Sequence, residues 1–111
     1  MQEKLDQIKQ RFDEVNDLII QPDIIADQRR YVKLNKEYKD LKKIVDARDR
    51  YMELTDRLAE AKDLVINSND DEMRDMAKME LDEVQPALEQ LEEAIRFMLI
   101  LSRRTSWTRL G

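Results

Sequence analysis

The sequence predicts an all-α fold, and two observations support this prediction. Charged residues make up 41% of the 111 residues and aromatic residues 5%, with a single glycine and two prolines. Such a composition is typical of long helices. No alternating run of β-branched and aromatic residues, bounded by glycine or proline, favours a strand. Three antiparallel helices are expected, over about residues 3–20, 27–66 and 71–101.

The first helix is predicted by apolar residues spaced three and four apart, which share one helical face. They are Leu5, Ile8, Phe12, Val15, Leu18 and Ile19. Pro22 is expected to end this helix, because the residue before a proline is driven out of the helical conformation. Asp27, with Asp23 as the alternative, is expected to cap the second helix. Ile24 and Ile25 would then form an apolar connection.

The second helix has an apolar face that is wide at first and narrow later. The wide part comprises Tyr31, Val32, Leu34, Tyr38, Leu41, Ile44 and Val45, and the narrow part comprises Tyr51, Leu54, Leu58, Ala61 and Val65. A wide face needs two helical neighbours, whereas a narrow stripe needs one. A continuous helix and a helix broken within residues 46–50 both fit this pattern.

The third helix follows the turn cluster at residues 67–71, which supplies candidate capping residues. Its seam alternates steps of four and three, as in a coiled coil, through Ala77, Leu81, Val84, Leu88, Leu91, Ile95 and Met98. Pro86 lies within this pattern and has no N–H to bond back to Asp82, so a solvent-facing kink is predicted there.

The three lengths predict a long coiled-coil-like helical hairpin, with the shorter N-terminal helix at its base. The first helix is about half as long as the second. It can therefore flank only the early part of the second helix. The expected result is a three-helix base and a protruding two-helix tip around residues 55–82.

The chain has no cysteine and no histidine, which excludes disulfides, thiolate chemistry and every histidine-based catalytic site or usual zinc site. We therefore expect no catalytic, cofactor-binding or metal-binding residues, no small-molecule substrate and no enzymatic activity. The apolar runs are too short to span a bilayer, and no signal peptide is evident, which favours a cytoplasmic protein. The net charge of −5 argues against wrapping nucleic acid.

Several clusters invite a functional interpretation, but a structural role is expected for each. The carboxylates Glu89, Glu92 and Glu93 should lie on a solvated face rather than form an acid–base pair. Asn69-Asp70-Asp71-Glu72 lacks the spacing and central glycine of a calcium loop, so helix capping is expected.

The remaining candidates lie on the second and third helices. Three methionines, Met73, Met76 and Met79, are expected to pack in the core, with one or two of them exposed. The alternative is that they form an adaptable binding surface. Core positions with solvent-reaching hydroxyls are expected for Tyr31, Tyr38 and Tyr51. Arg29 and Arg30 could contact RNA phosphate, but ordinary surface charge is expected.

Residues 102–111 differ from the rest of the chain, since they contain its only tryptophan, its only glycine, and three arginines without an acid. We interpret this segment as a non-native remnant or a frameshifted tail. With suitable codons, another reading frame over this segment encodes the acidic string Lys-Asp-Leu-Leu-Asp-Glu.

One stretch carries a family resemblance. The run from Gln21 to Tyr31, followed by Leu34, Lys36-Glu37-Tyr38 and Leu41, resembles the N-terminal domain of the bacterial peptide chain release factor 1 family. The resemblance covers about residues 1–100 and continues through Tyr51-Met52-Glu53-Leu54, Asp70-Asp71-Glu72-Met73, Met76-Ala77 and Phe97-Met98-Leu99-Ile100. The chain departs from the family after Ile100 and at Pro86.

This resemblance implies an accessory docking domain of a protein that ends translation at stop codons. The family's stop-codon-reading Pro-x-Thr and its Gly-Gly-Gln motif are absent from the chain. In the family, this domain lies toward the ribosomal stalk base, and the methyltransferase that modifies the Gly-Gly-Gln glutamine is a further candidate partner. The isolated chain is also a candidate for self-association. The alternative is a structural coiled-coil or homodimerisation module unrelated to translation. The residues that bind partners are not predictable from the sequence.

Overall fold

The computed structural model describes residues 2–102, and helices account for nearly all of them. They are α1 (Gln2–Leu18), α2 (Pro22–Ala26), α3 (Gln28–Asn67) and α4 (Asp71–Ser102). No strand occurs within this described part of the chain. The all-α prediction is confirmed, and α2 is an addition to it. The predicted tail lies outside the described residues except for Ser102, which ends α4.

The segment between α1 and α3 contains a short helix where an apolar connection was expected. Pro22 is the first residue of α2. Proline suits this position because the N–H it lacks would have no intrahelical partner there. Ile24 is buried, whereas Ile25 is 52% exposed. Only one of the two isoleucines therefore contributes fully to the core.

Asp27 caps α3, as predicted. Its Oδ1 accepts a hydrogen bond from the backbone N–H of Arg30 at 3.3 Å. A cap of this kind stabilises a helix by about 1 kcal/mol. From there α3 runs without interruption through residues 46–50, so the helix is continuous.

Contacts divide the chain into two compact units. Of the described residues, 2–48 and 96–102 form one, called the N-terminal unit, and Asp49–Ile95 form the other, called the hairpin unit. Each unit has its own buried apolar residues.

In the N-terminal unit, α1 lies antiparallel against the first part of α3. Arg11 pairs with Glu37, whereas Asp6, earlier in α1, pairs with Arg48, later in α3. The buried residues of this unit include Leu5, Ile8, Val15, Ile24, Leu34, Leu41, Ile44 and Val45. Val32 was expected on the apolar face but is 63% exposed. It lies two residues from buried Leu34, and residues two apart point to nearly opposite sides of a helix.

The hairpin unit consists of the second part of α3 and the first part of α4, packed antiparallel. Leu54, Val84 and Leu88 form its buried cluster, against which Tyr51, Leu58, Ala87 and Leu91 pack. The cluster follows the narrow stripe of α3 and the seam of α4, as the spacing predicted. Exposed Pro86 lies inside α4, and the predicted kink there stays a prediction.

Candidate functional site

Two of the carboxylates that the sequence singled out, Asp70 and Glu92, have structural roles. Asp70 Oδ1 accepts a hydrogen bond from the backbone N–H of Glu72 at 2.9 Å and so caps α4. Glu92 accepts a hydrogen bond from the Tyr51 hydroxyl at 3.3 Å. Within residues 2–102 no group of three or more acidic side chains is placed to hold a metal ion. Among the described helices, none has the length and apolar character needed to cross a membrane.

The three tyrosines are half-buried, each on α3. The Tyr38 ring stacks on Phe12 of α1 with 5.1 Å between the ring centroids. The Tyr51 hydroxyl binds Glu92 within the hairpin unit. Two of the three tyrosines therefore join helices, which is a packing role.

The expected core role of the methionines near the turn is wrong. Met73 is 45% exposed, Met76 69% and Met79 70%. The buried stripe of α4 begins at Ala77 and continues with Val84 and Leu88, so it leaves Met76 and Met79 to one side. A two-helix hairpin buries only a narrow stripe of each helix, and these methionines lie outside it. The alternative weighed for them, an adaptable binding surface, therefore gains support.

A groove of about 200 Å³ lies beside this stripe in the hairpin unit. It is lined by Arg57, Glu60, Ala61 and Leu64 of α3 and by Met73, Met76, Ala77 and Glu80 of α4. Ala61 and Ala77 are both buried and small, which leaves a depression between the two helices. We call this the methionine groove. The residue spacing did not predict it, although the two alanines in the predicted seams were the available signal.

One cation lies in this groove among several carboxylates. Arg57 Nη2 donates a hydrogen bond to Glu80 Oε1 at 2.5 Å. This hydrogen bond raises the pKa of the Arg57 guanidinium. Loss of solvent around the group lowers the pKa, but the negative charges of Glu80, Glu83 and Glu53 raise it further. With Glu60 also on the lining, the face of the groove is acidic.

The two units differ in charge. Asp49–Ile95 carries 15 carboxylates and 5 basic side chains, a net charge of −10. Residues 2–48 and 96–102 carry 10 carboxylates and 12 basic side chains, a net charge of +2. Arg29 and Arg30 are exposed, in the N-terminal unit. These two arginines and the methionine groove therefore belong to different units.

A second exposed apolar surface lies at the end of α4. Phe97 is 62% exposed, Ile100 56% and Leu101 49%, and their spacing of three and one places them on neighbouring parts of the helix surface. Ile95 is buried, so this end of α4 carries apolar residues both inside and outside.

An all-α chain with a slim core, an acidic groove and exposed apolar surfaces has the features of a helical interaction domain. The PCRF domain family matches residues 8–106. The chain belongs to the PCRF domain family, and its resemblance to the N-terminal domain of release factor 1 proteins is confirmed by relatives of that name.

Three relatives illustrate this similarity, and all are named peptide chain release factor 1. The protein from Flavobacterium psychrophilum is 52% identical over 100 residues, covering 90% of this chain and 28% of the relative. The Bacteroides fragilis protein is 51% identical over 98 residues, covering 88% of the chain and 26% of the relative. The Cytophaga hutchinsonii protein is 40% identical over 100 residues, covering 90% and 28%.

The chain thus spans about a quarter of the length of the relatives it matches. No solved structure matches it.

Proposed function

We propose that this chain is the docking part of a peptide chain release factor, which binds the ribosome through helix surfaces during translation termination. The observation that carries the proposal is the 52% identity to a release factor 1 over 90% of the chain but 28% of the relative. The chain's single glycine is its last residue, so a Gly-Gly-Gln motif has no place in it. The release step would belong to other parts of the longer protein.

The ribosomal stalk-base region is the proposed binding partner, with the methyltransferase of the Gly-Gly-Gln glutamine as a second one, in the cytoplasm. Family resemblance supports both partners. The exposed methionines of the hairpin unit and the exposed apolar residues at the end of α4 support docking by helix surfaces. The alternative of a coiled-coil module unrelated to translation loses its basis, because the chain belongs to the PCRF domain family. Self-association of the isolated chain stays a prediction.

A chimeric release factor tests the proposal. Residues 1–100 of this chain replace the corresponding segment of the Flavobacterium psychrophilum release factor 1, and peptide release from stop-codon ribosomes is measured against factor concentration. We expect the half-saturating concentration and the limiting rate to stay within about twofold of the parent. Deletion of the segment should raise the half-saturating concentration by about tenfold and leave the limiting rate nearly unchanged, since docking contributes to binding rather than chemistry.

The matched control replaces the segment by an unrelated helical hairpin of equal length, which should behave like the deletion. A limiting rate that falls while the half-saturating concentration stays constant would contradict the proposal. That result would place the segment in the chemical step.

A further inference from the structure

We propose that the methionine groove binds a cationic amphipathic helix of a protein partner. The inference rests on the proposed docking function and adds to it the location of one docking site and the chemistry of its occupant. Three observations carry it: the exposed methionines, the small residues that open the groove, and the charge around it.

The lining of the groove suits the apolar face of a helix. Met73 and Met76 project from α4 with 45% and 69% of their surfaces exposed, beside the depression at Ala61 and Ala77. Methionine is unbranched and flexible, so it adapts to apolar side chains of different shape. An amphipathic helix presents such side chains at spacings of three and four, and a third helix laid along a two-helix hairpin buries them in the groove.

The charge of the groove selects a cationic partner. Arg57 is already bound to Glu80, and Glu53 and Glu83 lie close enough to act on it electrostatically. Glu60 adds a further carboxylate to the lining. Lysines and arginines that flank the apolar face of an incoming helix would meet these glutamates, and complementary charge of this kind raises the association rate and sets specificity.

Other occupants fit less well. The hairpin unit has a net charge of −10, so it repels the phosphate backbone of RNA. A second copy of the chain would place an equally acidic hairpin against this one, and like charges brought together oppose association. A cationic helix is the occupant whose apolar face and charge both match the groove.

The test uses the full chain and a synthetic 18-residue helical peptide of leucine and lysine, with the leucines along one face. Binding is measured by fluorescence anisotropy at low and at physiological salt. We expect binding that weakens as salt rises, because the exposed charges are screened. A peptide with lysine replaced by glutamate, and one of the same composition with the leucines scrambled, should both bind at least about tenfold more weakly.

Substitutions locate the site. The double variant Met73→Gln, Met76→Gln should weaken peptide binding about tenfold, whereas Met79→Gln, which changes an equally exposed methionine outside the groove, should stay within about twofold. Glu60→Gln should weaken binding more than Glu89→Gln, because Glu60 lines the groove and Glu89 does not. Circular dichroism of each variant checks that the helices are retained.

Equal effects of the groove variant and Met79→Gln would overturn the inference, as would equal binding of the scrambled peptide. The peptide assay contains no ribosomes, so its failure is separate from failure of the release assay. In the chimeric factor, the double methionine variant should raise the half-saturating concentration and Met79→Gln should not. If deletion of the whole segment raises the half-saturating concentration and the double methionine variant does not, the groove inference is wrong and the proposed docking function still holds.

Discussion

Arg11 and Glu37 form the best-defined polar contact between α1 and α3. Arg11 Nε and Nη2 each donate a hydrogen bond to one Glu37 carboxylate oxygen at 2.8 Å. This two-bond geometry matches the planar guanidinium to the carboxylate, and the Glu37 side chain is only 11% exposed. The hydrogen bond to Glu37 raises the pKa of the Arg11 guanidinium.

Because the pKa of Arg11 is raised, the contribution of this ion pair to stability should persist at alkaline pH. A cation whose pKa is raised by folding contributes stability fully below its unfolded pKa and loses it only as pH rises through the folded value. Arginine's ordinary pKa already exceeds the usual experimental range. We therefore predict that a double-mutant cycle with Arg11→Met and Glu37→Met gives a coupling of about 1 kcal/mol at pH 7 and the same at pH 9.5.

Urea unfolding at both pH values measures this coupling. The exposed pair Lys9–Asp13 serves as the control, and its cycle should give only a few tenths of a kcal/mol, because a four-residue pair on a solvated helix surface is weak. A coupling between Arg11 and Glu37 that halves at pH 9.5 would contradict the prediction.

Sequence spacing identifies contacts such as Lys9–Asp13 but not the Arg11–Glu37 pair. Residues four apart on one helix are neighbours whatever the fold. Arg11 and Glu37 lie 26 residues apart, and the chain offers 20 basic and 25 acidic residues from which to choose. Only the register between α1 and α3 decides this pairing, and composition says nothing about register.

At the level of whole helices, Pro86 is the residue most at odds with its surroundings. It lies inside α4, between buried Val84 and Leu88, and is itself exposed. The chain therefore loses the hydrogen bond that residue 86 would donate to Asp82. Apolar packing on both sides keeps the helix intact despite this loss.

Pro86→Ala should therefore stabilise the chain by about 1–3 kcal/mol, because it restores the missing backbone N–H and removes a poor helix former. Urea unfolding followed by circular dichroism measures the change. Gln85→Ala, at the exposed neighbouring position, should shift stability by less than about 0.5 kcal/mol. If Pro86→Ala leaves the free energy of unfolding unchanged or lowers it, the prediction is contradicted, and α4 needs the proline.

The helices were predictable because their apolar residues recur with a helical period and turn residues are rare. The alternating steps of α4 identified the buried Ala77, Val84 and Leu88, and Asp27 identified the start of α3. The short helix α2 was missed because a five-residue helix contains too few residues to show a period. The methionine groove was missed because periodicity shows which side of a helix is apolar, and not how narrow a stripe one partner helix covers.

For the molecule as a whole, the difference in charge between the two units has a functional consequence. The hairpin unit carries −10 and the described part of the N-terminal unit +2. If the chain docks on the ribosome as proposed, it meets a particle made of RNA and basic proteins, which presents both phosphate and cationic surfaces, and the charges of the two units suit different ones. The overall charge of −5 conceals this difference, and so the sequence alone did not assign the surfaces.

The two units should also differ in local stability. The buried cluster of the hairpin unit rests on Leu54, Val84 and Leu88, whereas in the N-terminal unit α3 packs against α1 over a wider set of buried residues. Local opening requires less free energy where fewer apolar contacts are lost.

We predict that amide hydrogens of residues 55–82 exchange faster than those of residues 31–41, after correction for intrinsic rates, by about tenfold or more. Exchange measured by NMR at two pH values tests this, since rates limited by local opening equilibria rise with pH in proportion to hydroxide. Uniform protection along α3 would show that its two parts open together, and the idea of a less stable hairpin would have to be given up.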